Sequence, residues 1–280
     1  MNLPIKPTSP NEVKQLILTL PNNKAPENDK ITDRILKELP RKAVVLLANI
    51  YNACLRLSYF PTTWKHSVIH AIHKPGKDQH NPSSYRPISL LPVVGKLFEK
   101  VIFKRLLAQY SNLVPNHQFG FRKKQSAAEQ AHRLVDKITT ALEDGRYCGG
   151  IFLDVKQAFD RVWHEGLLYK VKKLIPEFYL LFSSYLQDRS FTVTQENFLS
   201  TVHSILGGVP QGSILGPYLY ILFTSDVPIP RDTPAPVDPS TFPSFTSAHE
   251  NPIIVAQSLQ MAVDEFYFWK RHVEPMVLNL

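Results

Sequence analysis

The sequence has few cysteines and no long apolar run. Its 280 residues include two cysteines, Cys54 and Cys148, which cannot form a disulfide framework or a four-thiolate zinc site. We therefore expect an intracellular protein in a reducing compartment. No apolar stretch approaches the roughly 20 residues that a membrane-spanning helix needs, and residues 1–4 do not begin a signal peptide. We expect neither a secreted nor a membrane-spanning protein.

Common nucleotide-binding and hydrolase motifs are also missing. The sequence contains neither Gly-x-Gly-x-x-Gly nor Gly-x-x-x-x-Gly-Lys-Ser/Thr. It therefore lacks the phosphate-binding loops that define Rossmann and P-loop proteins. Residues 212–216 (GSILG) place their serine wrongly for a nucleophile elbow. Three histidines have a metal-ligand spacing only if their segment is helical, but its β-branched residues favour a strand, so zinc is not expected (His66, His70 and His73).

The charge is positive and the proline content is high. Lys and Arg number 32 against 24 Asp and Glu, a net charge of +8, and aromatic residues make up 11%. A basic surface with interspersed aromatic residues is typical of proteins that bind polyanions, of which nucleic acid is the commonest. A mildly basic protein without such a partner is the alternative. Six of the 23 prolines lie within residues 228–243.

Hydrophobic periodicity predicts helices first, followed by strands and helices in mixed order. Helices are expected in six segments (33–57 with a break near Pro40, 95–110, 126–142, 159–174, 215–223 and 253–269). Strands are expected in three segments (64–72, 149–155 and a hairpin within 190–202). Because strands and helices do not alternate regularly, the fold class is α+β rather than a doubly wound parallel sheet.

Two segments combine residues that could carry chemistry. Asp154 ends an apolar strand, where a rigid backbone could hold a carboxylate for a metal ion. It could equally cap the following helix. The loop around Gln211 combines glycines with one amide side chain, which suits a base pair or a phosphate, or simply a tight turn.

Several motifs together resemble the reverse transcriptases of non-LTR retrotransposons, and in particular those of the jockey-like elements of arthropods. The resemblance covers roughly residues 12–228, with the motifs in the family's order: 23–26 (NKAP), 74–77 (KPGK), 85–90 (YRPISL), 118–122 (QFGFR), 153–160 (LDVKQAFD) with 162–164 (VWH), 184–189 (SYLQDR) and 208–213 (GVPQGS). Glu27 departs from the pattern, since the family usually has glycine at this position.

The resemblance implies the fingers and palm of a right-handed polymerase, with an incomplete palm and no thumb. The reverse transcriptase domain would cover about 66–228, divided into fingers-like (66–148) and palm-like (149–228) regions. An N-terminal helical extension (1–65) would precede it, and a residual C-terminal helix (253–280) would end the chain. The implied location is nuclear if the chain works as a retrotransposon enzyme.

The resemblance also assigns roles to individual residues. Asp154 would be the catalytic aspartate that binds Mg²⁺. Phe159 would exclude a 2′-OH from the incoming nucleotide, while Arg86 and Lys74 would reach its triphosphate. Gln211 and Gly212 would contact the templating pair and the nucleotide. The basic fingers would bind the RNA template and DNA primer (Lys96, Lys100, Lys104, Arg122, Lys123 and Lys124).

One block of the family is missing. The family has an aromatic-Ala-Asp-Asp hairpin soon after Asp226-Val227-Pro228, whereas no Asp-Asp pair exists anywhere in this sequence. One carboxylate cannot clamp two divalent cations. The resemblance therefore implies an RNA-directed DNA polymerase by descent that is inactive here. A non-catalytic module that binds RNA or RNA–DNA hybrid is one alternative, and the product of a decayed element or faulty gene model is another.

The proline-rich segment that replaces this block, residues 229–252, is predicted to be irregular. Proline lacks a backbone donor and fixes φ, so we expect no strand beside the one that ends at Asp154. Residues 225–249 should then be irregular and mobile. Ile151 and Leu153 should be poorly covered.

Overall fold

A computed structural model describes residues 5–21, 29, 31–81, 84–110, 127–153, 157–195, 198–228 and 244–273. These fall into two compact units. The first comprises Met1–Ser111 and Leu167–Pro217, and the second comprises Asn112–Gly166 and Tyr218–Leu280. Within the described residues, no helix is both long and apolar enough to cross a membrane.

Helices and strands follow each other in mixed order along the chain. The helices are α1 (Pro10–Leu18), α2 (Asp33–Lys37), α3 (Arg41–Leu57), α4 (Val93–Tyr110), α5 (Ala127–Glu143), α6 (His164–Leu174), α7 (Tyr179–Leu186), α8 (Gly216–Phe223) and α9 (Pro252–Val273). The strands are β1 (His66–His73), β2 (Tyr85–Leu90), β3 (Tyr147–Phe152), β4 (Arg189–Gln195), β5 (Phe198–Leu199), β6 (His203–Ile205) and β7 (Ser244–His249). The predicted mixture of helices and sheet is confirmed.

Local capping explains where the first helices begin. Ser9 accepts a hydrogen bond from the Glu12 amide at 3.1 Å, and Pro10 occupies the first position of α1. Thr32 caps α2 in the same way through the Ile35 amide. The predicted break near Pro40 is confirmed, since α2 ends at Lys37 and α3 begins at Arg41. Proline causes such a break because it restricts the residue before it and has no N–H to continue a helix.

A five-stranded sheet lies in the first unit. Its order is β2-β1-β4-β5, with β6 also pairing with β4. β1 and β2 form an antiparallel pair, whereas β1 and β4 run parallel. The strand and hairpin expected in these regions are confirmed, but β2 was not predicted because Pro87 lies in its middle.

An aromatic cluster forms the core of the first unit. It joins α3, α4 and α7 through ring contacts with centroids 4.9 to 5.9 Å apart (Tyr51, Phe60, Trp64, Phe98 and Tyr185). The hydroxyl of Tyr51 donates to the carbonyl of Val94 at 2.8 Å, so this buried polar group is satisfied.

In the second unit, β3 pairs with β7 in an antiparallel ladder that matches Ile151 with Phe245 and Gly149 with Ser247. α9 packs against this two-stranded sheet. The buried cluster comprises Phe245 with apolar residues of α9 (Val255, Leu259, Ala262 and Phe266). Gly149 allows the close approach, since a Cβ there would lie 2.8 Å from Val255 and 2.9 Å from Leu259.

The prediction of an irregular segment up to residue 249 is wrong, because β7 pairs along the whole of β3. Residues 244–249 contain no proline, so Pro243 and Pro252 flank the strand instead of interrupting it. Ile151 and Leu153 are partly buried against the cluster around Phe245, so the prediction of poor cover is also wrong. Residues 229–243, which include most of the proline-rich segment, lie outside the described residues.

The helix predicted from Phe159 begins only at His164. Residues 157–161 form a turn instead, in which the amides of Asp160 and Arg161 both donate to the carbonyl of Gln157. Gln157 has a φ of 57°, a left-handed conformation that does not continue a helix.

Candidate functional site

The β1–β2 hairpin of the first unit carries Lys74 and Arg86 near the same end. Arg86 pairs with Ile72, and the amide of Lys74 extends the ladder by donating to the carbonyl of Ser84 at 2.8 Å. Gly76, with a φ of 74°, allows the turn between the strands. Arg86 is exposed and Lys74 is half-buried. Lys74 and Arg86 therefore lie at the same end of the hairpin.

The loop that contains Gln211 and Gly212 lies against this hairpin. Gly212 has a φ of 107°, and a Cβ at this position would lie 2.8 Å from the carbonyl oxygen of Ser89 in β2. Only glycine fits such a contact without strain. The structure thus brings the loop next to the strand that carries Arg86. Gln211 is half-buried and Gly212 is exposed.

The chain directly after this loop is fixed by two side chains. The hydroxyl of Ser213 accepts a hydrogen bond from the Gly216 amide at 2.7 Å. One carboxylate oxygen of Glu99, in α4, accepts from the amides of Ile214 at 2.6 Å and Leu215 at 3.2 Å. These acceptors satisfy the amide of Gly216, the first residue of α8, and those of the two residues before it.

Glu99 is almost fully buried, at 2% exposure. Its second carboxylate oxygen accepts a hydrogen bond from the Tyr185 hydroxyl at 3.2 Å. Burial raises the pKa of Glu99, while nearby Arg189 and the hydrogen bonds oppose that rise. Arg189, also buried, stacks over the Tyr185 ring at 4.8 Å. The positive charge of Arg189 therefore offsets part of the cost of burying Glu99.

Three predicted nucleic-acid-binding lysines lie on α4, and two of them contact α1. Lys100 donates to the Thr19 hydroxyl at 3.3 Å, and the amine of Lys104 lies 3.7 Å from the Glu12 carboxylate. Lys104 remains half-exposed, and Lys96 is partly exposed. Their role in nucleic-acid binding stays a prediction, with Lys100 and Lys104 also serving the packing of α1.

Phe159 lies in the second unit, in the turn that precedes α6. Its ring stacks on Tyr220 of α8, with centroids 4.9 Å apart and planes 24° from parallel. This contact fixes the orientation of the half-buried ring. The role of Phe159 in sugar selection stays a prediction.

Four of the predicted residues lie outside the described part of the chain. They are Asp154, the predicted catalytic and metal-binding residue, and the basic residues Arg122, Lys123 and Lys124. Strand β3 ends at Phe152, two residues before Asp154 in the sequence. Its partner β7 has the sequence Ser-Phe-Thr-Ser-Ala-His and offers no carboxylate.

The sequence of the chain is similar to that of known polymerases. The family model for reverse transcriptase (RNA-dependent DNA polymerase) matches residues 72–234, more than half of the chain. This chain belongs to the reverse transcriptase family. The assignment agrees with the motifs from which the sequence alone indicated a non-LTR reverse transcriptase.

Relatives from retrotransposons cover most of the chain. In Drosophila melanogaster, the probable RNA-directed DNA polymerases from transposons X-element and BS are 47% and 49% identical over 82% of this chain. The RNA-directed DNA polymerase from mobile element jockey, also of that species, is 46% identical over 81%. The chain spans about a quarter of the length of these relatives, as the matches cover 25–26% of each.

A structure of apo telomerase from Candida tropicalis, truncated from its C-terminal domain, has 14% identity and a TM-score of 0.45. The match covers 72% of this chain and 46% of that one.

Reverse transcriptases generally use divalent metal ions, which the residues of the site would have to hold. Two-metal sites of polymerases need several carboxylates within a few ångströms. Within the described ranges, no group of three or more His, Cys, Asp or Glu residues could hold a metal ion. The sequence has no Asp-Asp pair either. The described donor set therefore does not fit a two-metal centre.

Sequence reasoning missed Glu99 as part of the site. A signal was present, because Glu99 directly follows Leu97 and Phe98 on a helix whose neighbouring positions are apolar. An acidic residue in a buried helix indicates a polar partner elsewhere in the fold. That partner, the start of α8, lies more than 110 residues later, beyond what local periodicity reports.

Proposed function

We propose that this chain is a reverse transcriptase domain that binds RNA template and DNA primer but does not polymerise. The observation that carries this proposal is β7, a strand without carboxylates paired beside β3, in the region where the family has its paired aspartates. Without those ligands, a second metal ion lacks the support that nucleotidyl transfer needs. In this assignment, β3 and β7 belong to the palm, and the β1–β2 hairpin belongs to the fingers.

Nucleic-acid binding is supported by the first unit. Arg86 and Lys74 supply positive charge for phosphates from one end of a hairpin. The loop with Gln211 and Gly212 lies against that hairpin, where it could contact a templating base pair. The exposed face of the same hairpin includes Ile72 and Ile88, apolar groups that suit stacked bases or sugars. Deoxynucleoside triphosphates would reach the same cations.

The test measures binding of a labelled RNA–DNA hybrid by fluorescence anisotropy from about 50 to 300 mM salt, because phosphate contacts weaken strongly over this range. We expect a steep fall in affinity with salt. Lys74→Ala/Arg86→Ala should weaken binding about tenfold and reduce the salt slope by about 1 to 2, because two phosphate contacts are lost.

The matched control is Arg41→Ala/Lys42→Ala, which removes the same charge from the exposed first turn of α3. This variant should bind nearly as well as the wild type. Equal losses in both double variants, or an affinity that does not respond to salt, would overturn the proposed binding surface.

A further inference from the structure

The loop with Gln211 and Gly212 is held from two sides by parts of the first unit. On one side, Gly212 lies so close to β2 that a Cβ at this position would be 2.8 Å from the carbonyl oxygen of Ser89. On the other side, Glu99 accepts the two amides that directly follow Ser213. A shift of this loop away from α4 would break both hydrogen bonds to Glu99.

The hydrogen bonds that Glu99 accepts are of the kind whose loss is costly. A buried amide without an acceptor loses the full benefit of its hydration, and charged acceptors make stronger bonds than neutral ones. Ile214 and Leu215 would lose their acceptor together if Glu99 were removed. Ser213 would still cap the Gly216 amide, so α8 could persist while its first turn loosened.

Tyr185 and Arg189 in turn hold Glu99. The Tyr185 hydroxyl donates to the second carboxylate oxygen, and an N–H of Arg189 donates to the Tyr185 carbonyl at 3.2 Å. The Arg189 guanidinium stacks on the Tyr185 ring. The carboxylate of Glu99 is thus held in place by Tyr185 of α7 and has the positive charge of Arg189 nearby.

We propose that Glu99 is a positioning residue, whose carboxylate sets the loop so that Gln211 and Gly212 meet the templating base pair. This inference rests on the proposed function, since it assumes that the loop contacts bound nucleic acid. Glu99 itself touches no substrate. It acts through the backbone of Ile214 and Leu215, two and three residues beyond Gly212.

The experiment uses an RNA–DNA hybrid with 2-aminopurine as the first unpaired template base. Its fluorescence reports contact with the templating position, while anisotropy of the same samples reports hybrid affinity. Glu99→Leu should reduce the 2-aminopurine response at saturation about threefold or more and leave hybrid affinity within about twofold, because the phosphate contacts remain. Glu99→Gln should restore most of the response, since one amide oxygen can still accept both N–H groups.

Hydrogen exchange provides a second readout that does not need nucleic acid. The amides of Ile214 and Leu215 should exchange about tenfold faster or more in Glu99→Leu, and less so in Tyr185→Phe, which keeps the carboxylate. Glu143→Leu, on the exposed face of α5, is the matched control and should change neither readout.

The outcomes separate the two proposals. If the wild type binds hybrid without a 2-aminopurine response, the proposed contact of the loop with the template fails. If the wild type responds and Glu99→Leu responds equally, the positioning role fails. It fails also if hybrid affinity and the fluorescence response fall in parallel, because a general loss of structure would explain both.

Discussion

Arg105, a single residue in α4, fixes the N-terminal segment to the first unit. Its guanidinium donates to both carboxylate oxygens of Glu12, at 2.9 and 2.6 Å, and to the carbonyls of Lys6 and Pro7. Thr8 is held in addition by paired hydrogen bonds with Asn52 of α3. Residues that the sequence placed in an N-terminal extension therefore pack on the same helix that carries Glu99.

The Glu12–Arg105 pair predicts how stability depends on pH. The hydrogen bond from Arg105 lowers the pKa of Glu12 to about 2, against the opposing effect of burial. Because the folded pKa is depressed, the stabilisation is complete above pH 4.5 and is lost as the pH falls toward 2. Partial exposure of Glu12 limits it to about 1–2 kcal/mol.

Urea unfolding of the wild type and Glu12→Gln at pH 7, 4 and 3 measures this effect. The difference in unfolding free energy between the two proteins should be largest at pH 7 and should shrink as the pH falls. Glu38→Gln, at an exposed position, is the control and should follow the wild type at every pH. A difference that stays constant from pH 7 to 3 would contradict the assignment.

Helix α4 shows what periodicity can and cannot predict at the scale of elements. The sequence placed this helix within two residues of its start, since an amphipathic pattern is a local property. The resemblance assigned the lysines of this helix to nucleic-acid binding, yet Lys100 and Lys104 also contact the N-terminal segment through Thr19 and Glu12. The contacts join residues about 80 to 90 positions apart, and no local pattern reports such a partner.

Strand β7 shows the converse error. The composition of residues 228–252 suggested that no strand could form there. Proline, however, acts at single positions, and six residues between Pro243 and Pro252 suffice for pairing with β3. The strand was missed because it is stabilised by hydrogen bonds to β3 and by packing of α9 on Phe245, neither of which a local sequence pattern reports. Capped helices and glycine turns, by contrast, were predictable, because their determinants lie in adjacent residues.

Two neighbouring glycines in β3 test the packing of α9 on this sheet. Gly149→Ala would place a Cβ within 3 Å of Val255 and Leu259, whereas at Gly150 the nearest atom would be 3.7 Å away. We expect Gly149→Ala to lower the free energy of unfolding by about 1–3 kcal/mol, as overpacking does. Gly150→Ala should stay within about 0.5 kcal/mol of the wild type. Equal effects in chemical denaturation would show that α9 does not pack on β3 as described.

At the scale of the whole molecule, membership of the reverse transcriptase family favours polymerase activity, whereas the missing pair of aspartates argues against it. The family model matches more than half of the chain, and the loop expected around Gln211 lies beside β2. The second strand of the small sheet is also in place, but without acidic residues. The described residues therefore retain both sheets and the loop beside β2, but they contain no cluster of three or more His, Cys, Asp or Glu residues that could hold a metal ion.

Primer extension on an RNA template tests this account most directly. The whole chain, saturated with a primed RNA template, receives deoxynucleoside triphosphates and Mg²⁺, and anisotropy of the same sample confirms binding. The RNA-directed DNA polymerase of the jockey element serves as the positive control. We predict binding without extension. Mg²⁺-dependent extension by this chain that is lost in Asp154→Ala would contradict the account.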